Sequence, residues 1–317
     1  MEARARHLRS HHRTRIAALL VCLTFLFFKG YAQNVDLFKM QDEQNKKEKK
    51  ETTDITTSTF KTTRVVNGQS IENTGAGILD LKISHRFGMV NTGAYNFFGL
   101  DQATMRIGLD YGISNRLEIG LGRSTYNKEF DGFFKFRILR QSTGKVNMPI
   151  SISLASTIIW RSLKDPVTPY PINYSDHFSY ASQVIIARKF GDYFSLQFVP
   201  TMVHYNIVPT KAIPNDLYSL GTGFRLRLSR RVNLTGEYYY QRNHLPGYYN
   251  SASVGFDIET GGHVFQLDFT NSTGINEASF ITQTDGKWGA GGVHFGFNIS
   301  RVFTVVKPKA IINNKQP

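Results

Sequence analysis

Ala103-Thr104-Met105-Arg106-Ile107-Gly108-Leu109-Asp110-Tyr111-Gly112 is the stretch that decides how the chain is read. Ala103, Met105, Ile107, Leu109 and Tyr111 are apolar, and the residues between them are small or charged. Alternation at period two gives one strand a greasy face and a polar face. The same alternation predicts twelve strands, at 78–86, 103–111, 117–124, 132–139, 150–160, 178–190, 194–204, 217–228, 232–240, 251–259, 263–270 and 293–303. An even number of such strands suits a closed antiparallel barrel.

The links between strands carry more weight than the strands themselves. Those at 87–102, 125–131, 161–177, 205–216, 241–250 and 271–292 are mostly long. Those at 112–116, 191–193, 229–231 and 260–262 are tight, and 140–149 is intermediate. Long and short links therefore alternate, as in outer-membrane barrels with short periplasmic turns and longer extracellular loops. That order places both termini in the periplasm. A soluble sandwich has no reason to sort its loops by length.

The greasy face tests the reading independently. Leu79, Leu81 and Ile83, then Phe134, Phe136 and Ile138, then Phe194, Leu196 and Phe198, and finally Phe295, Phe297 and Ile299 place no acid or base at a central position. Arg or Lys at the midplane of a barrel's lipid face costs about 2–4 kcal/mol, which excludes it at most sites. Arg123, Arg188 and Arg301 share this face but lie at strand ends, where long side chains snorkel. Aromatic residues supply two girdles. Trp160, Tyr180, Tyr205, Tyr218 and Tyr240 are expected near the outer interface, and Tyr111, Phe190, Phe194 and Phe303 near the inner one.

Composition agrees with this architecture. The 317 residues are 13% aromatic and 20% charged, with 27 Gly, and no apolar run reaches the roughly 18 residues of a spanning helix. Arg4, Arg6, Arg9, Arg13 and Arg15 precede the apolar stretch Ile16–Phe28, and Lys29-Gly30-Tyr31-Ala32-Gln33 follows it. This order reads as a signal peptide over 1–32, cleaved after Ala32, which removes the one cysteine, Cys22. With it go +5 of the formal charge of +14, and the remaining Lys and Arg form no stripe, so no nucleic-acid partner is expected.

Residues 33–76 change character. Lys46-Lys47-Glu48-Lys49-Lys50-Glu51 and the Thr-rich run after it are too polar to offset chain entropy, so a mobile periplasmic arm is expected. Within it Arg64-Val65-Val66 and Gln69-Ser70-Ile71 flank Asn67-Gly68, a strong hairpin signal. Two readings stay open here, a small hairpin packing under or into the barrel mouth and a solvated linker. The domains expected are thus 1–32, 33–76, a barrel over 77–303 and a C-terminal tail over 304–317.

Ser84-His85-Arg86-Phe87-Gly88, Asn96-Phe97-Phe98-Gly99-Leu100-Asp101 and Arg106-Ile107-Gly108-Leu109-Asp110-Tyr111-Gly112-Ile113 resemble an uncharacterised domain-of-unknown-function family of Bacteroidota exported proteins described as outer-membrane β-barrels. Ile119-Gly120-Leu121-Gly122-Arg123-Ser124 and Asp131-Gly132-Phe133-Phe134-Lys135 continue the resemblance, which covers about Phe60 to Val302. It implies a barrel and no activity. The tail after Phe303 departs from the terminal aromatic of the usual assembly signal.

In this register the lumen holds Lys82, Arg86, Arg106, Lys135, Arg137, Lys189, Arg225 and Arg227 against Asp80, Asp110, Glu118, Glu237, Asp257, Glu259 and Asp268. A selective pore concentrates one sign at its constriction. Near balance predicts instead an ion-pair network bracing the wall, with Arg106 and Asp110 joined by Lys82 and Glu118. Ser151, Ser153, Ala155, Thr157, Ser179, Ala181, Ser195 and Thr201 make the fifth to seventh strands a small, neutral wall, where any passage should run.

Twelve strands is also the size of outer-membrane phospholipases, whose His and Ser two residues apart lie on the lipid face. The nearest match, His177-Phe178-Ser179, puts Ser179 on the lumen side and lacks the Asn-Gly expected after it. His85, His204, His244, His263 and His294 show no metal-ligand spacing, and no helix follows the glycine pairs 120/122 and 221/223 to cradle a phosphate. No metal or cofactor is expected. The first expectation is an all-β transmembrane up-and-down barrel in outer-membrane lipid that passes or binds a small solute. The alternative is a structural or interaction barrel with a plugged lumen, whose arm 33–76 docks a periplasmic protein. A lipid-hydrolysing barrel comes last.

Overall fold

The computed structural model describes residues 52–165, 171–208 and 210–307. The signal peptide, the arm as far as residue 51 and most of the tail lie outside the described residues. Twelve antiparallel strands run in chain order: β1 Ile78–Met89, β2 Ala103–Gly112, β3 Leu117–Ser124, β4 Glu129–Leu139, β5 Ser151–Arg161 and β6 Phe178–Phe190, then β7 Phe194–Tyr205, β8 Asp216–Arg227, β9 Val232–Gln241, β10 Ser251–Thr260, β11 His263–Thr270 and β12 His294–Thr304. Each pairs with its chain neighbours, and β12 pairs with β1 to close the barrel. Ile83 lies opposite Ile299 across that seam. Closure satisfies every strand edge internally, the condition for backbone to sit in hydrocarbon.

The alternation of the sequence appears as alternating burial. In β2, Arg106, Gly108 and Asp110 are buried while Ile107 and Leu109 are exposed. The outward face carries Leu121, Phe134, Phe198, Leu220, Phe256 and Leu267, all exposed. A soluble protein would not leave such a band in water. The three outward arginines each lie over an aromatic ring: Arg123 on Phe130, Arg188 on Phe190 and Arg301 on Phe303, at 5.0–5.4 Å. Each cation is thereby held at a strand end against an aromatic face.

Trp160, Tyr180, Tyr218 and Tyr240 at one end, with Tyr111, Phe190, Phe194 and Phe303 at the other, share the outward parity of their strands. Tyr205 does not belong to the girdle. It has the odd parity of lumen-facing β7, and its hydroxyl meets Thr282 Oγ1 at 2.6 Å inside the barrel.

The links at 113–116, 191–193, 228–231 and 261–262 define a tight-turn end, where the chain enters β1 and leaves β12. The links at 90–102, 162–177, 206–215, 242–250 and 271–293 define a long-loop end. The link expected as long at 125–131 is only 125–128, because β4 begins at Glu129, and 140–150 at the other end is longer than it. At the tight-turn end Thr53–Ile55 forms a two-stranded sheet with Ser142–Gly144, from the link between β4 and β5.

Candidate functional site

The segment expected as a mobile arm is, from Thr59 onward, inside the barrel. Phe60, Val65, Val66, Asn67, Gln69, Ser70 and Ile71 are at most 3% exposed, so this is lumen filling rather than an arm. The chain enters from the tight-turn end, turns at Val66-Asn67-Gly68 and returns to Gly77. Arg64 pairs with Gln69, Val65 N–H donates to Gly68 O at 2.8 Å, and Ser70 N–H donates to Thr63 O at 2.9 Å. Gly68 is not in the left-handed region that an Asn-Gly turn exploits. Its lack of a side chain serves a close approach, because a Cβ there would lie 1.9 Å from the Tyr239 hydroxyl.

Lumen carboxylates and amides seat the tip. Glu237 accepts the Asn67 N–H at 2.8 Å, the Gly68 N–H at 3.0 Å and the Val66 N–H at 3.4 Å. The Asn67 side chain is fully paired. Its Nδ2 donates to Ser253 Oγ and Thr270 Oγ1, and its Oδ1 accepts from Arg86 Nη2 at 2.8 Å. A buried polar group stays in place when its hydrogen bonds are complete, and each costs about 1–3 kcal/mol if left unmade.

The other end is closed by the long link 271–293. It dips inward as a short helix, α1, Glu277–Thr282, every residue of which is buried. Asn276 caps it by accepting the Ser279 N–H at 3.0 Å, and Glu129 at the start of β4 accepts the Ser279 hydroxyl at 2.6 Å. Phe280 meets Tyr239 edge-on at 5.0 Å. Hairpin and helix touch: Arg64 Nη1 pairs with Glu277 Oε1 at 3.0 Å, and Gln69 Nε2 donates to the same oxygen at 3.1 Å.

The lumen charges fall into several groups rather than one network centred on Arg106 and Asp110. Lys82 bridges Asp110 and Asp80 and also donates to Thr63 of the hairpin. Lys135 pairs with Glu118 at 3.4 Å and reaches Gln69 Oε1 at 3.2 Å. Arg106 does not pair with Asp110. Its guanidinium forks onto both oxygens of Asp131, and a Cβ on Gly122 would lie 2.2 Å from that guanidinium. Arg86 pairs with Asp268, and Arg137 with Glu72. Lys189 reaches Asp192, and Glu259 pairs with Lys61 at 2.6 Å.

Four expected members lie outside ion pairs. Arg225 donates to the Asp192 carbonyl and Arg227 to the Ser229 carbonyl. Asp257 accepts from Gln266 and Thr235, and Glu237 serves the hairpin. Sequence reasoning missed Asp131, Glu129 and Glu277.

The small wall of β5–β7 is not an open passage in this conformation. Phe60, Val65 and Ile71 of the hairpin fill it, packing with Ala155, Ile185, Ala187 and Val199. Burying three such side chains contributes about 1.5–3 kcal/mol each. Nearer the long-loop end Ala181 and Val203 pack with Ala278, Phe280 and Ile281 of the link. Ser179 is on this lumen face and buried, where no lipid ester could reach it, and His177 pairs with Asp165 at 3.1 Å. No cluster of three metal-ligating side chains occurs among the described residues.

These features define a membrane-bound β-barrel whose lumen is filled by its own chain. The protein belongs to the family described as Membrane bound beta barrel domain (DUF5777), which matches residues 60–303, so the hairpin lies within the matched domain. No curated protein sequence matches the chain. Among solved structures it is similar to the NanC porin, at 8% identity and TM-score 0.46, over 72% of this chain and 100% of that one. It is also similar to the Acinetobacter baumannii outer membrane protein Omp33, at 8% identity and TM-score 0.40, over 74% and 100% of the two chains.

Proposed function

We propose that this protein is a porin-like barrel of the outer membrane, with both termini periplasmic, that is shut at rest by its own hairpin from the periplasmic side and by α1 from outside. The observation that carries this reading is Asn67: a fully buried hairpin tip, mid-lumen, with every side-chain hydrogen bond made by the barrel wall. The apolar outward band, the aromatic girdles and the sorted loops support the outer membrane as its place. Ser179 on the lumen side speaks against lipid hydrolysis, so the barrel acts as a closed conduit rather than an enzyme. Purified full-length protein in a planar bilayer should show no stepwise conductance at modest voltage. Steady open steps from the unmodified chain would overturn this reading. Protease added to whole cells should spare 52–76, and cleavage there from outside would reverse the orientation.

A further inference from the structure

The two sides of the lumen meet the hairpin on different terms. The wall of β1–β4 pairs with it through Lys82, Lys135 and Glu118, the last accepting the Thr74 N–H at 2.9 Å. The wall of β5–β7 makes one hydrogen bond to it, from Gln197 Nε2 to Gln69 O at 2.9 Å, and otherwise carries neutral polar atoms that have no partner: Ser153 Oγ, Thr157 Oγ1, Gln183 Oε1, Ser195 Oγ and Gln197 Oε1. All five residues are at most 3% exposed and lie on three adjacent strands, the wall whose Ala155, Ile185, Ala187 and Val199 pack with Phe60, Val65 and Ile71. A surface made to hold an apolar plug permanently would carry alanine or valine there, because a buried unpaired hydroxyl or amide is a standing cost. The same atoms suit a wetted path.

The hairpin's attachment fits withdrawal toward the tight-turn end. On its return side Gly75-Ala76-Gly77 leads into β1, with Gly77 at φ 73° anchored by the Gly112 carbonyl and the Val305 and Val306 N–H groups, and both of its ends lie at that same mouth. Beside it lies a cavity of about 480 Å³, between Phe60–Thr63 and Glu72–Gly75 on one side and Asp80, Glu259 and Ser300 on the other.

We propose that the neutral wall of β5–β7 is the conducting path for small uncharged solutes bearing hydroxyl or amide groups, uncovered when the hairpin withdraws. This rests on the closed-lumen reading above. Hydroxyls and amide oxygens offer hydrogen bonds without charge, so the path favours neither sign of ion.

The test uses the full chain in liposomes, with Cys22→Ser and a single reporter, Ser153→Cys or Ser195→Cys. Both are near-isosteric changes that keep the barrel folded. Water-soluble maleimides should label the reporter slowly, and neutral, sulfonated and quaternary-ammonium forms should do so at matching rates once normalised to free cysteine. Adding Asn67→Cys with Ser253→Cys, whose native side chains touch, and oxidising the pair should slow labelling by at least about tenfold, with recovery on reduction. No labelling in either state would overturn the path and leave the closed barrel standing. Equal labelling, locked or free, would overturn both readings. A strong preference for one reagent charge would overturn the neutral path.

Discussion

The two halves of the lumen solve opposite problems with one hairpin. On the β1–β4 side Arg106 is buried and finished: its guanidinium forks onto Asp131, and Gly108 and Gly122 leave it room. On the β5–β7 side Ser195 is equally buried and has no partner. A fully paired charge is stable only in its present arrangement, whereas an unpaired hydroxyl loses little when its neighbour departs. The charged half therefore works as frame, and the neutral half is the part able to change what it touches.

The largest effect should come from the frame. Arg106→Ala strands Asp131 in the interior, and thermal unfolding in detergent should show a loss of about 3–5 kcal/mol, partly recovered by adding Asp131→Ala. Ser195→Ala should leave stability unchanged or raise it slightly. Equal losses at the two sites would break the comparison.

Glu237→Gln comes next. It removes the charge from a carboxylate that takes three consecutive N–H groups, and a loss of about 1.5–3 kcal/mol should appear as faster hydrogen exchange at Val66–Gly68 while the barrel strands keep their protection. Exchange rising in the strands as well would mean that hairpin and barrel unfold as one unit.

Gly68→Ala sharpens the same point sterically. The added methyl meets the Tyr239 hydroxyl, so about 1–3 kcal/mol of overpacking is expected, relieved in part by Tyr239→Phe. Absence of rescue would place the strain in the backbone.

The smallest effect concerns the link 271–293 and is read against pH. Burial alone would raise the Asp285 carboxyl, but the hydrogen bond and charge of His294, with the Thr273 hydroxyl, hold it below the ordinary value. A depressed folded pKa gives stability that is fully present above the unfolded value of about 3.9 and lost as pH falls through the lower folded value. Protease resistance of the link should decline in that acid window, and Asp285→Asn should flatten the decline.

The barrel was legible because its signal is local. Alternation and link length depend on near neighbours, and every strand of the barrel falls where the alternation predicts one, with ends shifted by a few residues at most, whereas the short pair Thr53–Ile55 and Ser142–Gly144 was not predicted. The site was less legible, for a tertiary reason. For Thr59–Thr74 the Asn-Gly signal left a hairpin in the barrel mouth open beside a solvated linker, and the polar composition could not choose between them, because the barrel supplies the partners that water would have supplied. Asp131 falls outside the predicted strand because alternation places the start of β4 at 132, while the strand begins at Glu129 with Gly132 interrupting its greasy face. Height along β7 suggests the girdle for Tyr205, although its odd parity points inward. Glu277 comes from a loop, where no periodicity announces burial. The small residues of β5–β7 were the available hint that something bulky lay opposite them.

One topological fact bears on assembly. The hairpin enters and leaves through the same mouth, so its tip can seat in a finished cylinder without any chain end being threaded. Its seat is built late in synthesis: Glu237, Ser253, Thr270 and Glu277 belong to β9, β10, β11 and the last long link. A chain released before those residues exist has only Arg86 of β1 to receive Asn67. Docking of this early segment thus reports that the C-terminal third is in place, a checkpoint written into the order of the polypeptide.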